Sequence, residues 1–152
     1  MQVEVTGVKC DAETLQEAAA FFASCLMDPR MVRNIVLNID VKYGSKNDPE
    51  WLGDCEDDDG GRNPRWFTIN LRKQKTEEMV KTLAHEMVHL KQHAKNEFRG
   101  SRSLHRSTSG SGGIWKGQVW KPSSREHPYF DAPWEVEAFG KEVGLYHRWK
   151  AR

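Results

Sequence analysis

The order of the predicted elements indicates an α+β domain, in which a small mixed β-sheet packs on an N-terminal helix and a central helix. Segments that alternate apolar and polar residues predict strands, and segments with apolar residues three and four positions apart predict helices. These two kinds of segment are interspersed along the chain. Because each amphipathic element needs a neighbouring layer, the order strand–helix–strand–strand–helix–hairpin–helix predicts one packed core.

Length and composition agree with this class. The chain has 152 residues, which is typical of a single domain with a substantial core, so we expect one domain over residues 1–152. Hydrophobic residues make up 38% of the sequence and charged residues 30%, a balance typical of soluble globular proteins. The formal net charge of +1 favours neither an acidic nor a basic partner.

The N-terminal sequence and the cysteines indicate a cytoplasmic protein. The first residues have neither the basic region nor the apolar region of a signal peptide, so we expect no signal peptide. No apolar run is long enough to cross a membrane, and we expect no membrane partner. Cys10, Cys25 and Cys55 are odd in number and widely spaced, which favours free thiols in a reducing compartment over a disulfide framework.

The first part of the chain predicts scaffold elements. Val3 and Val5 alternate with polar residues and predict a strand. Asp11 is the predicted N-cap of a helix over residues 12–27, which an Asp-Pro pair then ends. Alternation over residues 33–43 predicts a half-buried strand.

An acidic stretch over residues 47–64 predicts a long polar loop. Its acids do not have the spacing of an EF-hand, so we expect a solvated hairpin tip rather than a calcium site. Alternation over residues 65–72 predicts a second strand, which leads directly into the central helix.

The central helix, predicted over residues 76–95 with Thr76 as its N-cap, carries the strongest chemical signal. His85, Glu86 and His89 form the pattern H-E-x-x-H. Positions four residues apart share a helix face, so both imidazoles can reach one zinc ion. Glu86 then lies beside the open position of the metal, where a general base is needed.

Catalytic zinc usually has three protein ligands, so a third ligand must lie elsewhere. The longer three-histidine form of the motif needs glycine and histidine where this chain has Gln92 and Lys95, and it is therefore excluded. His93 is one turn past His89 and too far along a straight helix, so we expect it to face solvent or to support a ligand. His105 lies in a basic stretch without helical pattern and is a weaker candidate.

A helix predicted over residues 131–149 supplies the better candidates. Pro133 suits its first turn, and two glycines are points at which it could be interrupted. Glu135 shares a face with the alanine and phenylalanine three and four residues later, so we favour it as the third ligand, with Glu137 as the alternative. Glu137 or Glu142 would then accept a hydrogen bond from a histidine ligand.

The segments TLAHEMVHLKQ and YFDAPWEVEAFG together resemble the SprT-like zinc metallopeptidases, in particular the small versions found in bacteriophage genomes. They are also similar, more loosely, to gluzincins, which combine two histidines with a distant glutamate. The resemblance covers residues 67–146. It implies a zincin-like fold whose C-terminal helix closes the site, one Zn²⁺ ion, and a location in the host cytoplasm if the gene belongs to a phage. The E-x-E-A pattern of such families uses its first glutamate as ligand, which corresponds to Glu135.

The resemblance implies a zinc metalloendopeptidase that acts on a protein or peptide substrate. Glu86 would be the general base for a zinc-activated water, and Tyr129, or else His127, would stabilise the oxyanion. Metallopeptidases hold the substrate along the edge of a sheet, and we expect the strand over residues 65–72 near that edge. The sequence shows no specificity pocket.

Two other functions remain open. One is a zincin-fold binding protein with little catalysis, although the intact Glu86 favours activity. The other is a DNA-associated peptidase, because residues 91–125 interleave basic and aromatic side chains, which suits single-stranded nucleic acid. A solvated hairpin over residues 114–120 is the alternative there. The chain lacks the third histidine and the zinc-ribbon tail of SprT and Spartan proper, so the resemblance does not imply a DNA-linked role.

Overall fold

The computed structural model describes residues 1–99, 112–121 and 128–152. Their secondary structure is a mixture of helices and strands, as predicted. The strands are β1 (Gln2–Gly7), β2 (Val36–Lys42), β3 (Gly53–Asp57), β4 (Trp66–Arg72), β5 (Phe98–Arg99), β6 (Gly113–Trp115) and β7 (Gln118–Trp120). The helices are α1 (Ala12–Leu26), α2 (Pro29–Arg33), α3 (Thr76–Ala94), α4 (Pro128–Asp131) and α5 (Pro133–Lys150).

The larger sheet has four strands in the order β1-β2-β4-β3. The first three are parallel, and β3 is antiparallel to β4 at one edge, so the sheet is mixed, as predicted. The apolar residues of β2 and β4 alternate toward α1 and α3 on one face. Helix α5 packs against α3 on the side away from most of the sheet. The apolar residues between these layers form one buried cluster.

Helix α1 has the cap and the apolar face that the sequence predicts. The Asp11 side chain accepts a hydrogen bond from the Thr14 backbone nitrogen at 3.2 Å, which is the N-cap interaction. Leu15, Ala18 and Phe22 are fully buried. Burial of a large apolar side chain contributes about 1.5–3 kcal/mol, so this face anchors the helix to the sheet.

The strand predicted over residues 33–43 begins later than expected. A short helix, α2, occupies Pro29–Arg33, and β2 starts at Val36. The Asp28 side chain accepts from the Met31 backbone nitrogen at 3.0 Å and caps this helix, while Pro29 supplies the fixed φ of a first turn. The Asp-Pro pair therefore ends one helix and begins another.

The loop predicted over residues 47–64 contains a strand, so that prediction is wrong over Gly53–Asp57. This strand, β3, is the free edge of the sheet beside α3, whereas β4 lies in the interior of the sheet. Asp54 and Glu56 pair with the polar face of β4, and Cys55 pairs with its buried face. In β3, acidic residues alternate with small ones rather than with large apolar ones, so the sequence of this strand resembles that of a loop.

Two helix ends also differ from prediction. Lys75, not Thr76, holds the N-cap position of α3, and no side chain caps that end. Helix α5 runs without interruption through Gly140 and Gly144, where a Cβ would meet no atom within 4 Å. Neither glycine is needed for a turn or a close approach, so the backbone stays helical at the usual cost of about 1 kcal/mol for glycine.

The predicted hairpin is confirmed as β6 and β7, which form a second sheet with β5. Lys116 and Gly117 both have positive φ, 49° and 82°, the pattern of a type I′ turn. The predictions for His105, for His127 and for the basic residues Arg102, Arg106 and Arg125 concern positions outside the described part of the chain. No helix in the described ranges is long and apolar enough to span a membrane.

Candidate metal centre

The side chains of His85, His89 and Glu135 converge on one point between α3 and α5. The two histidine Nε2 atoms are 3.1 Å apart. Nε2 of His85 is 3.3 Å from one carboxylate oxygen of Glu135, and Nε2 of His89 is 3.3 Å from the other. This group could hold a metal ion, as its ligand atoms all lie within 4.8 Å of one another. The structure thus brings together the three predicted ligands.

Packing between α3 and α5 places Glu135 opposite the histidines. Pro133 begins α5, which puts Glu135 in the first turn. The Gln92 side chain on α3 donates a hydrogen bond to the Trp134 backbone carbonyl at 2.9 Å and fastens that turn to α3. Ala138, one turn later, is fully buried and allows the two helices to approach closely.

A hydrogen bond to Glu142 orients His85. The Nδ1 atom of His85 lies 2.7 Å from a carboxylate oxygen of Glu142. An ionised carboxylate only accepts, so Nδ1 carries the proton and Nε2 presents its lone pair to the site. Of the two glutamates predicted for this task, Glu142 is therefore the one in contact with a histidine.

His89 is oriented by Gln92, a residue that the sequence presented only as a departure from the three-histidine motif. The Gln92 oxygen lies 2.9 Å from Nδ1 of His89. The Gln92 nitrogen donates to the Trp134 carbonyl and to Glu137, each at 2.9 Å. Because both of those groups are acceptors, the amide orientation is determined, and Nδ1 of His89 must be the donor. The i,i+3 spacing from His89 was the available signal.

Glu137, the alternative ligand, is engaged elsewhere. Its carboxylate lies 2.6 Å from the Lys91 Nζ and 3.2 Å from that of Lys141. Burial alone would raise the pKa of Glu137, but hydrogen bonds from Lys91 and Gln92 outweigh it and lower the pKa to about 2. Glu137 thus supports Gln92, which in turn orients His89, and it is not among the converging ligand atoms.

The residues present fit a metal ion. With both Nδ1 atoms engaged, the two Nε2 atoms and the Glu135 carboxylate face one another at 3.1–3.3 Å. Oε2 of Glu135 is buried and has no hydrogen-bond partner within the described residues. Such an arrangement is costly unless a cation lies between the groups. Two imidazoles and one carboxylate form a donor set used by catalytic zinc, which keeps a further position open.

The electrostatics of the site also favour a cation. Burial alone would lower the pKa of His89, but the carboxylates of Glu135 and Glu86 outweigh it and raise the pKa to about 9. Burial alone would likewise raise the pKa of Glu135, yet the two histidines hold it at about 2. Positive charge at this point is therefore stabilised by the surrounding carboxylates.

Glu86 and Tyr129 complete the site as the structure places them. Glu86 is 6% exposed, and burial raises its pKa to about 7. Burial and the carboxylates of Glu135 and Glu86 raise the pKa of Tyr129 above its usual value, so its hydroxyl keeps its proton. The ring of Phe139 packs edge-to-face on His85 at 4.6 Å and contacts Tyr129 as well.

His93 does not face solvent, which corrects one of the two roles predicted for it. Its side chain is 12% exposed and packs on the ring of Phe98, with a centroid distance of 5.5 Å. Nδ1 of His93 is 3.9 Å from a carboxylate oxygen of Asp57, at the end of β3. His93 therefore lies against β3 and β5 and is not among the three converging ligands.

The free edge strand β3 runs beside the ligand-bearing part of α3. A Cβ at Gly53 would lie 2.9 Å from the Thr82 methyl carbon, so the strand and the helix approach closely there. Burial raises the pKa of Cys55 well above its usual value, and the nearby Glu86 raises it further. The edge strand β3 thus packs along α3, the helix that carries Glu86.

Several residues predicted to contact nucleic acid have other partners. Lys91 is buried between Glu97 and Glu137, 2.6 Å from a carboxylate oxygen of each. The rings of Trp115 and Trp120 pack on Trp134, with centroid distances of 6.4 and 5.0 Å. These contacts agree better with the hairpin alternative than with a base-stacking surface.

Comparisons with known proteins found no matching family model, no matching curated protein and no matching solved structure. The function is therefore inferred from the geometry of the site.

Proposed function

We propose that this protein is a zinc-dependent metallopeptidase with a zincin-like fold and that its H-E-x-x-H helix is the active-site helix. His85, His89 and Glu135 would hold one Zn²⁺ ion, and α5 would close the site. The observation that carries the proposal is the Glu135 carboxylate, whose two oxygens each lie 3.3 Å from the Nε2 atom of one histidine, together with the buried Glu86, which follows His85 on α3. A site that only held a metal would not need the adjacent carboxylate.

When bound, zinc supplies Lewis acidity toward a carbonyl oxygen and lowers the pKa of a bound water. Glu86 acts as the general base. Burial brings its pKa to about 7, so its carboxylate exchanges a proton near neutral pH. It takes a proton from the attacking water and delivers that proton to the leaving amine nitrogen.

Tyr129 is proposed to stabilise the oxyanion. Its ring packs on that of Phe139, and its raised pKa keeps the hydroxyl a hydrogen-bond donor at neutral pH. A donor aimed at developing negative charge contributes most to acyl-transfer reactions when it is held in advance. The edge of β3, which packs along α3, would hold an extended peptide through backbone hydrogen bonds. We do not propose a nucleic-acid partner.

The experiment compares the wild-type protein with Glu86→Gln for zinc content and for digestion of casein. We expect both to carry zinc and only the wild type to produce fragments, with a loss of at least about 100-fold in rate for the variant, because general base catalysis is worth that much. A chelator should stop wild-type digestion. Equal digestion by the two proteins would refute the role of Glu86, and zinc binding without digestion by either would favour the zincin-fold binding protein.

A further inference from the structure

A cavity of about 300 Å³ lies one helical turn past the second histidine ligand. Asp57 at the end of β3 and His93 on α3 line one part of it. Arg62, Phe98 and Arg99 line another part, so apolar and charged groups are combined. Nothing in the metal centre uses this cavity.

The cavity presents two arginines that have no counter-charge in the part of the chain that the structure describes. Within the described residues, the side chains of Arg62 and Arg99 make no ion pair and no hydrogen bond with another side chain or with the backbone. Asp57, the one acidic residue among the described lining residues, lies beside His93. Residues 100–111, which follow Arg99, include no aspartate or glutamate, so this neighbouring segment cannot supply a carboxylate.

The acids that adjoin the cavity in sequence are engaged elsewhere. The Asp58 carboxylate accepts a hydrogen bond from the Thr68 hydroxyl at 2.8 Å. The Asp59 carboxylate accepts from the Arg65 backbone nitrogen at 3.0 and 3.3 Å. With respect to the described residues, the guanidinium groups of the cavity are therefore available for an anion from another molecule, and a carboxylate matches their planar set of donors.

The position of the cavity relates it to the proposed reaction. His93 is four residues past His89, which is about 6 Å along a helix at 1.5 Å per residue. An extended peptide advances about 3.3–3.6 Å per residue, so this distance is spanned by about two residues. A peptide that lies along β3 with its scissile bond at the metal centre would thus place a nearby residue in the cavity.

We propose that this cavity binds a carboxylate of the peptide substrate, within about two residues of the scissile bond, through Arg62 and Arg99. The proposal rests on the proposed peptidase function. Two sources share this chemistry, an aspartate or glutamate side chain and the C-terminal carboxylate of the peptide. Phe98 would pack on the methylene groups that precede the carboxylate.

Equilibrium binding of short peptides to zinc-loaded Glu86→Gln protein tests this without requiring cleavage. Four fluorescein-labelled alanine-rich hexapeptides carry Glu or Gln at the fourth position and end in an acid or an amide. We expect a peptide with a carboxylate to bind about tenfold more tightly than the neutral Gln amide peptide, since hydrogen bonds to charged groups are worth about that much. The Glu amide and Gln acid peptides identify which carboxylate is bound.

The added substitutions Arg62→Gln and Arg99→Gln should each remove most of this preference and leave binding of the neutral peptide unchanged. Arg33→Gln, at an exposed arginine of α2, is the matched control and should keep the preference. Arg62 lies in a loop, so Arg62→Gln remains informative if Arg99→Gln, in strand β5, does not fold. Equal affinity for all four peptides, no binding of any of them, or an equal loss for charged and neutral peptides would overturn the proposal. A wild-type protein that binds acidic peptides but cleaves none would instead overturn the proposed peptidase activity.

Discussion

At the scale of single residues, each histidine of the candidate metal centre is oriented by one hydrogen bond at Nδ1. Glu142 accepts from His85 at 2.7 Å, and Gln92 accepts from His89 at 2.9 Å. Both bonds keep the proton on Nδ1, so both Nε2 atoms can donate a lone pair to a metal. The groups that orient metal ligands typically change metal affinity by about 10- to 100-fold when they are removed.

The first prediction follows for Glu142. Because its side chain is 30% exposed, water can replace part of its contact with His85, and Glu142→Ala should weaken zinc binding by about tenfold, the lower end of that range. Competition with a chromophoric chelator measures the dissociation constant. Glu56→Ala, which removes an exposed acid on β3, is the control and should leave the constant unchanged. An unchanged constant for the Glu142 variant would show that His85 needs no partner.

At the scale of elements, charged side chains connect α3 to α5 behind the site. Lys91 on α3 lies 2.6 Å from Glu137 on α5 and 2.6 Å from Glu97, and its side chain is 5% exposed. Glu137 also contacts Gln92, so this group of charges supports the orientation of His89. Removal of one member of a buried ion pair is strongly destabilising because it leaves an unpaired charge.

We therefore expect Lys91→Met to lower the free energy of unfolding by about 3 kcal/mol, the lower end of the range for buried pairs, since both carboxylates keep some exposure to water. Urea unfolding of the metal-free protein, followed by circular dichroism, measures it. The double variant with Glu137→Gln should recover part of the loss. A loss below about 0.5 kcal/mol in the single variant would mean that the pair contributes no more than a surface salt bridge.

The pH dependence of stability gives a second test at this scale. The pKa of Glu137 is about 2 in the folded protein and 4.5 by its ordinary value. A lowered folded pKa means that the carboxylate contributes its full stability above pH 4.5 and loses it as the pH falls toward 2. In Glu137→Gln, the free energy of unfolding of the metal-free protein should fall less steeply over that interval. Identical slopes for the variant and the wild type would contradict a lowered pKa for Glu137 in the folded protein.

At the scale of the whole molecule, the sequence predicts the elements that depend on local pattern. The Asp11 cap, the apolar face of α1, the strands β2 and β4, the helix α3 and the hairpin follow from spacing and turn residues. So do the three converging ligands, because the i,i+4 rule and the inward face of α5 are local properties.

What the sequence does not reveal depends on contacts between distant segments. Strand β3 forms because Cys55 faces the core and Asp54 pairs across from Asn70, and its acidic composition resembles a loop. Gln92 can orient His89 only because α5 brings Trp134 and Glu137 into hydrogen-bonding distance of its side-chain nitrogen. The cavity beside His93 likewise requires β5 to lie next to the end of β3.

The zinc stoichiometry of two matched variants tests the central claim most directly. Glu135→Ala removes the proposed third ligand, and Glu137→Ala removes a glutamate of the same helix that contacts Lys91 and Gln92. The wild type and both variants are loaded with zinc and freed of excess metal, and their zinc content is measured by elemental analysis. We predict about one zinc per chain for the wild type and Glu137→Ala, and none for Glu135→Ala, because two histidines alone leave a catalytic zinc site incomplete. Zinc retained by Glu135→Ala, or lost from Glu137→Ala alone, would contradict the proposed metal centre.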